Sequence, residues 1–189
     1  MDDFNLELVA RKSVKSIFAL VSRTFFIQVL GVFASFILTI YLSPSDFGVF
    51  FIVSSFVVFI NYFSDIGIAA SLIQKKEEPN LQELRNTFTI QQILVLLLII
   101  PCFALSGQIA SFFKIDGHGI YLLYAFLISF LLSSLKTIPT VILERKLDFH
   151  RLVIPQIAEN LVYNLTLILM AVGGYGITSF TVAIVLRSI

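Results

Sequence analysis

Charge-free apolar runs, separated by short polar joints, set out the elements of this chain. Residues 17–42 carry no charge except Arg23. A first helix is therefore expected over residues 16–42, preceded by a polar segment of mixed charge at 1–15. Ser43, Pro44, Ser45 and Asp46 interrupt it, because Pro44 cannot continue a helix and Ser45 or Asp46 can cap the next one. The second run, residues 47–73, has 27 residues, enough to cross a hydrocarbon core of roughly 30 Å with some tilt. A polar loop from Gln74 to Arg85 leads to a third span at residues 86–106, weakened at its end by Ser106 and Gly107. Between Gly107 and Gly119, Ile109, Phe112, Phe113 and Ile115 alternate with Gln108, Lys114 and Asp116, the pattern of a short interfacial segment. A fourth span is expected over residues 120–143 and a fifth over 153–172, with Pro155 in the first turn, where a missing N–H costs nothing. Gly173, Gly174, Tyr175 and Gly176 make a tight return. The last run, residues 177–189, has 13 residues, about 20 Å of helix. That is too short to span, so the expectation is a helix that a longer parent protein would complete.

The fold class that follows is all-α: a polytopic transmembrane helical bundle with five full spans and an incomplete sixth. Composition agrees, since 58% hydrophobic residues, 13% charged residues and a mean hydropathy of +0.96 leave too little polar surface for a water-soluble domain. A net charge of +1, with the basic residues spread among loops, points away from nucleic acid. Cys102, His118 and His150 supply neither a disulfide framework nor a zinc set, and Cys102, beside Pro101 in an apolar run, reads as a buried thiol. Lys and Arg alternate by loop. Arg11, Lys12 and Lys15 precede the first span, Lys75, Lys76 and Arg85 follow the second, and Arg145, Lys146 and Arg151 follow the fourth. The first and fifth loops have none and the third only Lys114. This asymmetry predicts a cytoplasmic N-terminus, with the SPSD and GGYG turns facing outward.

Four charges fall inside the expected spans: Arg23, Asp65, Lys136 and Glu159. Counted inward from the cytoplasmic ends, all four lie roughly 9–12 Å deep at 1.5 Å per residue, which predicts a single charged layer. Polar stripes at helical spacing accompany them. Helix one has Thr24, Gln28, Gly31 and Ser35, and helix two Ser54 and Asn61. Helix four has Ser129, Ser133 and Thr140, and helix five Gln156, Asn160, Tyr163 and Asn164. Lipid does not accept such stripes cheaply, so they are expected to converge on a shared interior, bonded to one another or filled with water. A structural reading stands beside the functional one. Two acids and two bases at one depth can neutralise each other, Arg23 and Lys136 can snorkel, and the hydroxyls and amides can serve as helix-packing glue. Asn164, Leu165 and Thr166 form a glycosylation triplet, but within a span. No His or Cys is paired with a base, no Gly-rich loop precedes a Lys, and no loop cluster of acids suits magnesium; Glu77, Glu78 and Glu83 read as a solvated loop face. The chain is expected to be no enzyme, without metal or cofactor, and to act by binding and moving a ligand.

LSPSDFGVF after the first span, SDIGIAASLIQKKE closing the second, TIPTVILERKLDFHRL closing the fourth and GGYGITSF after the fifth together resemble the polysaccharide biosynthesis family of lipid-linked oligosaccharide flippases. That family falls within the multidrug/oligosaccharidyl-lipid/polysaccharide exporter superfamily. The resemblance implies the N-terminal lobe of a MATE-like transporter in the bacterial inner membrane. It also implies a substrate, undecaprenyl-pyrophosphate carrying an O-antigen, capsule or exopolysaccharide repeat unit, moved by alternating access. On that basis Arg23, Lys136 and Asn160 are expected to contact the head group, with Asp65 and Glu159 orienting them or coupling an ion. Membrane lipids, a C-terminal lobe and polysaccharide assembly proteins are the partners implied. The alternatives are a multidrug or small-cation exporter of the same superfamily and a nonfunctional truncated membrane protein.

Overall fold

The computed structural model describes the backbone of residues 2–64, 67–75, 77–115 and 117–189, and their side chains except those of residues 2–20, 68, 69 and 150. The described residues form nine α-helices and no strand: α1 (Asp2–Tyr41), α2 (Pro44–Ser64), α3 (Ile68–Gln74), α4 (Leu81–Ala104), α5 (Ser106–Phe112), α6 (Gly117–Leu135), α7 (Thr137–Arg145), α8 (Phe149–Val172) and α9 (Thr178–Ser188). Within them, five stretches are long and apolar enough to cross a membrane: Val21–Tyr41, Pro44–Ser64, Leu81–Ala104, Gly117–Leu135 and Arg151–Val172. The polytopic all-α bundle is thus the observed architecture. The backbone is helical without interruption from Asp2 to Tyr41, so the described part of the polar segment ahead of the first span continues the same helix.

Two expected spans are each split. The second ends at Ser64, and a short α3 starts after Gly67, whose φ of 71° is left-handed. An L side chain resists that conformation and glycine does not, so a continuous helix over 47–73 is not formed. The fourth breaks at Lys136, between α6 and α7. Pro139 accounts for the break: its ring would strike the carbonyl of residue 135 and it has no N–H to donate. The chain tightens there, with Lys136 N bonding Ser133 O at 3.1 Å. Pro155 is likewise not in a first turn. α8 begins at Phe149 and carries the proline inside the helix, which leaves the Arg151 carbonyl without its usual donor.

Two helix starts, those of α2 and α4, are set by paired caps. Ser43, rather than Ser45 or Asp46, closes the SPSD turn: its N–H and Oγ donate to Asp46 Oδ2 at 3.0 and 2.6 Å, and Asp46 N–H donates back to Ser43 Oγ at 3.2 Å. Pro44 then takes the first helical position, where its fixed φ is an advantage. Asn80 and Glu83 form the same reciprocal box at the start of α4, and Glu83 also holds Lys75 at 2.6 Å. Glu83 is therefore a cap in the first turn of α4 and an ion-pair partner, rather than part of a loop face.

α6 is the central helix. Leu122, Leu123, Ala125 and Leu127 are fully buried, packed with Val53 and Val57 of α2, Val95 and Ile99 of α4, Leu167 of α8, and Phe180 and Ala183 of α9. Phe50 stacks on Phe180 at 4.3 Å, and Phe47 meets it edge-on at 6.0 Å. The SPSD and GGYG turns accordingly share one end of the bundle, where a Cβ on Gly176 would sit 3.6 Å from Asp46 Oδ1. The basic loops share the other end. The outer shell is apolar, with Phe25, Phe33, Phe36, Phe51, Phe59 and Leu97 among many exposed large side chains. A surface of this kind suits hydrocarbon rather than water.

Candidate functional site

The site is built along one face of α8. Gln156, Glu159 and Tyr163 stand at i, i+3 and i+7, which stacks them on a single side of the helix. Each meets a cation supplied from a different part of the bundle. Arg23 of α1 donates through Nη1 to Gln156 Oε1, and its Nη2 reaches Thr24 Oγ1 at 3.4 Å. Lys136, at the break between α6 and α7, pairs through Nζ with Glu159 Oε1 at 2.6 Å, the two side chains being 46% and 29% exposed. Arg187, in the last turn of α9, lies over the Tyr163 ring with Cζ 5.7 Å from the centroid.

Local structure explains why these groups meet. The break forced by Pro139 leaves Lys136 between two helices, in position to reach α8. It is pinned from the other side by α4, where Gln92 Nε2 donates to Ser134 Oγ at 3.0 Å and Gln91 Nε2 to Thr137 Oγ1 at 2.8 Å. Two successive glutamines thus bracket the break. Ser129 and Ser188, bonded at 2.7 Å, fix α9 against α6. A cleft of about 560 Å³ opens beside Glu159, with Lys136, Thr140, Arg151 and Gln156 in its lining and Leu132, Leu135, Pro139 and Leu152 as apolar wall.

Arg23, Lys136 and Glu159 are therefore brought to one strip of α8, as a common layer predicts. Asp65 lies outside the described residues. Asn160 turns toward its own helix, donating Nδ2 to the Gln156 carbonyl at 2.8 Å, and Asn164 does the same to the Asn160 carbonyl; Asn160 retains its Oδ1 as a group to offer a ligand. Arg23 Nε is buried and has no hydrogen-bond partner among the described residues, so this cation still carries a donor to satisfy. No group of three metal-ligating side chains is found among the described residues.

Sequence reasoning missed Gln91, Gln92 and Arg187 at this site, and the contacts made by Arg145 at the basic end. Arg145 donates through Nη1 to the carbonyls of Leu72, Ile73 and Lys75, and through Nη2 to that of Glu77 at 2.8 Å. Its fork gathers the C-terminal carbonyls of α3, where a cation also complements the helix dipole.

No curated protein and no solved structure matches the chain. A family described as polysaccharide biosynthesis protein matches residues 37–189, which takes in Lys136, Gln156, Glu159, Tyr163 and Arg187 and leaves Arg23 just upstream. With that much of its length matched, and with the membrane-helical architecture described above, the chain belongs to the polysaccharide biosynthesis protein family.

Proposed function

We propose that the protein is a lipid-linked oligosaccharide flippase, or the N-terminal half of one, with its basic end in the cytoplasm of a bacterium. It moves undecaprenyl-pyrophosphate-linked repeat units across the inner membrane by alternating access. The observation that carries this reading is the α8 strip, where Arg23 and Lys136 converge in an otherwise apolar bundle beside a cleft with both polar and apolar walls. A pyrophosphate needs fixed cationic donors, and the guanidinium fork suits its oxygens. Arg23 enters such a contact with its Nε still unpartnered. Glu159 holds Lys136 until an anionic head group competes for it, and Gln156 fixes the Arg23 fork without neutralising it. The lipid tail takes the apolar side.

The test is genetic. In the native host deleted for its own copy of the gene, the Arg23→Ala protein is expected to reach the membrane at normal abundance while surface polysaccharide falls at least tenfold and lipid-linked repeat units accumulate. Undiminished surface polysaccharide would remove Arg23 from the mechanism and this reading with it.

A further inference from the structure

Arg187 differs from the other two cations of the strip in both depth and company. Tyr163 stands about midway along the Arg151–Val172 span, seven residues, or about 10 Å of helix axis, beyond Gln156. Arg187 is held against it, and so lies near mid-span, where a fixed charge is most costly and marks a functional site by default. Arg23 has the Gln156 amide and Lys136 the Glu159 carboxylate. The Arg187 guanidinium, among the described residues, makes no ion pair or hydrogen bond. Its contact is the face of an aromatic ring, which attracts a cation without consuming its N–H donors. The side chain is also exposed, so the fork is open to a ligand.

We infer that Arg187 is a third cationic position of the site, oriented by Tyr163 to receive the phosphate-bearing head group after Arg23 and Lys136. This rests on the flippase reading given above. The contacts of these cations with α8 are spread over about 10 Å of helix axis, and the strip is read as successive stations along α8, from the basic end toward mid-span. Tyr163 is a positioning residue, acting through Arg187.

The experiment compares charge with bulk in the host deleted for its own copy, surface polysaccharide being divided by the amount of protein in the membrane fraction. Arg187→Gln and Arg187→Met, which retain a long side chain without the charge, are expected to lower this ratio at least tenfold. Arg187→Lys, which retains charge and ring contact, should keep a third or more of it. Tyr163→Phe preserves an aromatic face and should stay within twofold of the parent, whereas Tyr163→Leu should fall threefold or more. Arg23→Ala runs beside them. If Arg23→Ala fails and both neutral Arg187 variants export normally, the third station is wrong and the flippase reading survives. If Arg23→Ala and the Arg187 variants all export normally, both fall together. If the neutral variants vanish from the membrane while Tyr163→Leu and Tyr163→Phe export alike, Arg187 is a folding residue and the inference is overturned.

Discussion

Two helices of this bundle carry polar stripes that look alike as text, and they end in opposite ways. On α8, Gln156, Glu159 and Tyr163 each engage a residue from elsewhere in the bundle, tying α8 to α1, to the α6–α7 break and to α9. On α1, beyond Arg23, the polar groups stay local: Ser35 Oγ donates to the Gly31 carbonyl and Thr39 Oγ1 to the Phe36 carbonyl, both at 2.8 Å. These groups line a shallow open groove of about 660 Å³ with Gln28, Val32 and Phe36. A hydroxyl that bonds its own helix is satisfied wherever the helix lies and carries no information about neighbours. On these two helices the guanidinium of Arg23 and the carboxylate of Glu159 reach across to neighbouring elements, whereas the α1 hydroxyls stay within their own helix.

The strongest way to break this contrast is to reverse one charge on α8. Glu159→Lys places two ammonium groups where a 2.6 Å pair stood. Removing one partner of a fully buried pair costs roughly 3–5 kcal/mol. This pair is partly exposed and screened, so about 2–3 kcal/mol is expected for the reversal, repulsion included. The measurement is thermal unfolding of the protein in detergent micelles, and Lys136→Glu should behave alike. The double exchange, Lys136→Glu with Glu159→Lys, should recover most of the loss. Failure of the exchange to recover any stability would mean that the pair is incidental to the packing of α8.

Arg145 gives a middle-sized effect at the other end of the comparison's logic, a charge satisfied by backbone. Its fork spans carbonyls of residues 72 to 77, and hydrogen bonds to a charged group contribute about 1.5–3 kcal/mol net. Arg145→Ala should cost about 2 kcal/mol in the same unfolding measurement. Arg145→Lys should recover less than half, because an ammonium is a point donor and cannot reproduce the fork. A lysine variant as stable as the parent would reduce Arg145 to a simple helix-end charge.

Much of this was legible in the sequence. Hydrophobic run length gave the spans, because a residue facing hydrocarbon has little chemical freedom. The layer of Arg23, Lys136 and Glu159 followed from counting residues along helices. The breaks were less visible, although their signals are present: Pro139 lies three residues past Lys136, Gly67 interrupts SDIGIAA, and Ser43-to-Asp46 and Asn80-to-Glu83 have the spacing of capping boxes. The apolar continuity of both runs masks these signals. The Arg145 fork and the Arg187–Tyr163 contact were not legible. The first joins α7 to a segment about 70 residues away in sequence, and the second depends on how α9 is rotated against α8. Spacing within one helix determines neither.

The smallest effect is expected on α1, and it is the sharpest check on why the two stripes differ. Ser35→Ala and Thr39→Val remove hydroxyls whose only described acceptors are carbonyls of the same helix, at 2.8 Å. Those carbonyls keep their places in the backbone ladder, so no buried polar group is orphaned by the change. Substitutions away from such features stay within about 0.5 kcal/mol, and the double variant should unfold within about that margin of the parent. Surface polysaccharide should also be unchanged within twofold if this face carries only packing. A loss of export at normal stability would instead place Ser35 and Thr39 on the ligand's path, and the line between charges that converge and hydroxyls that stay local would no longer separate the working face from the inert one.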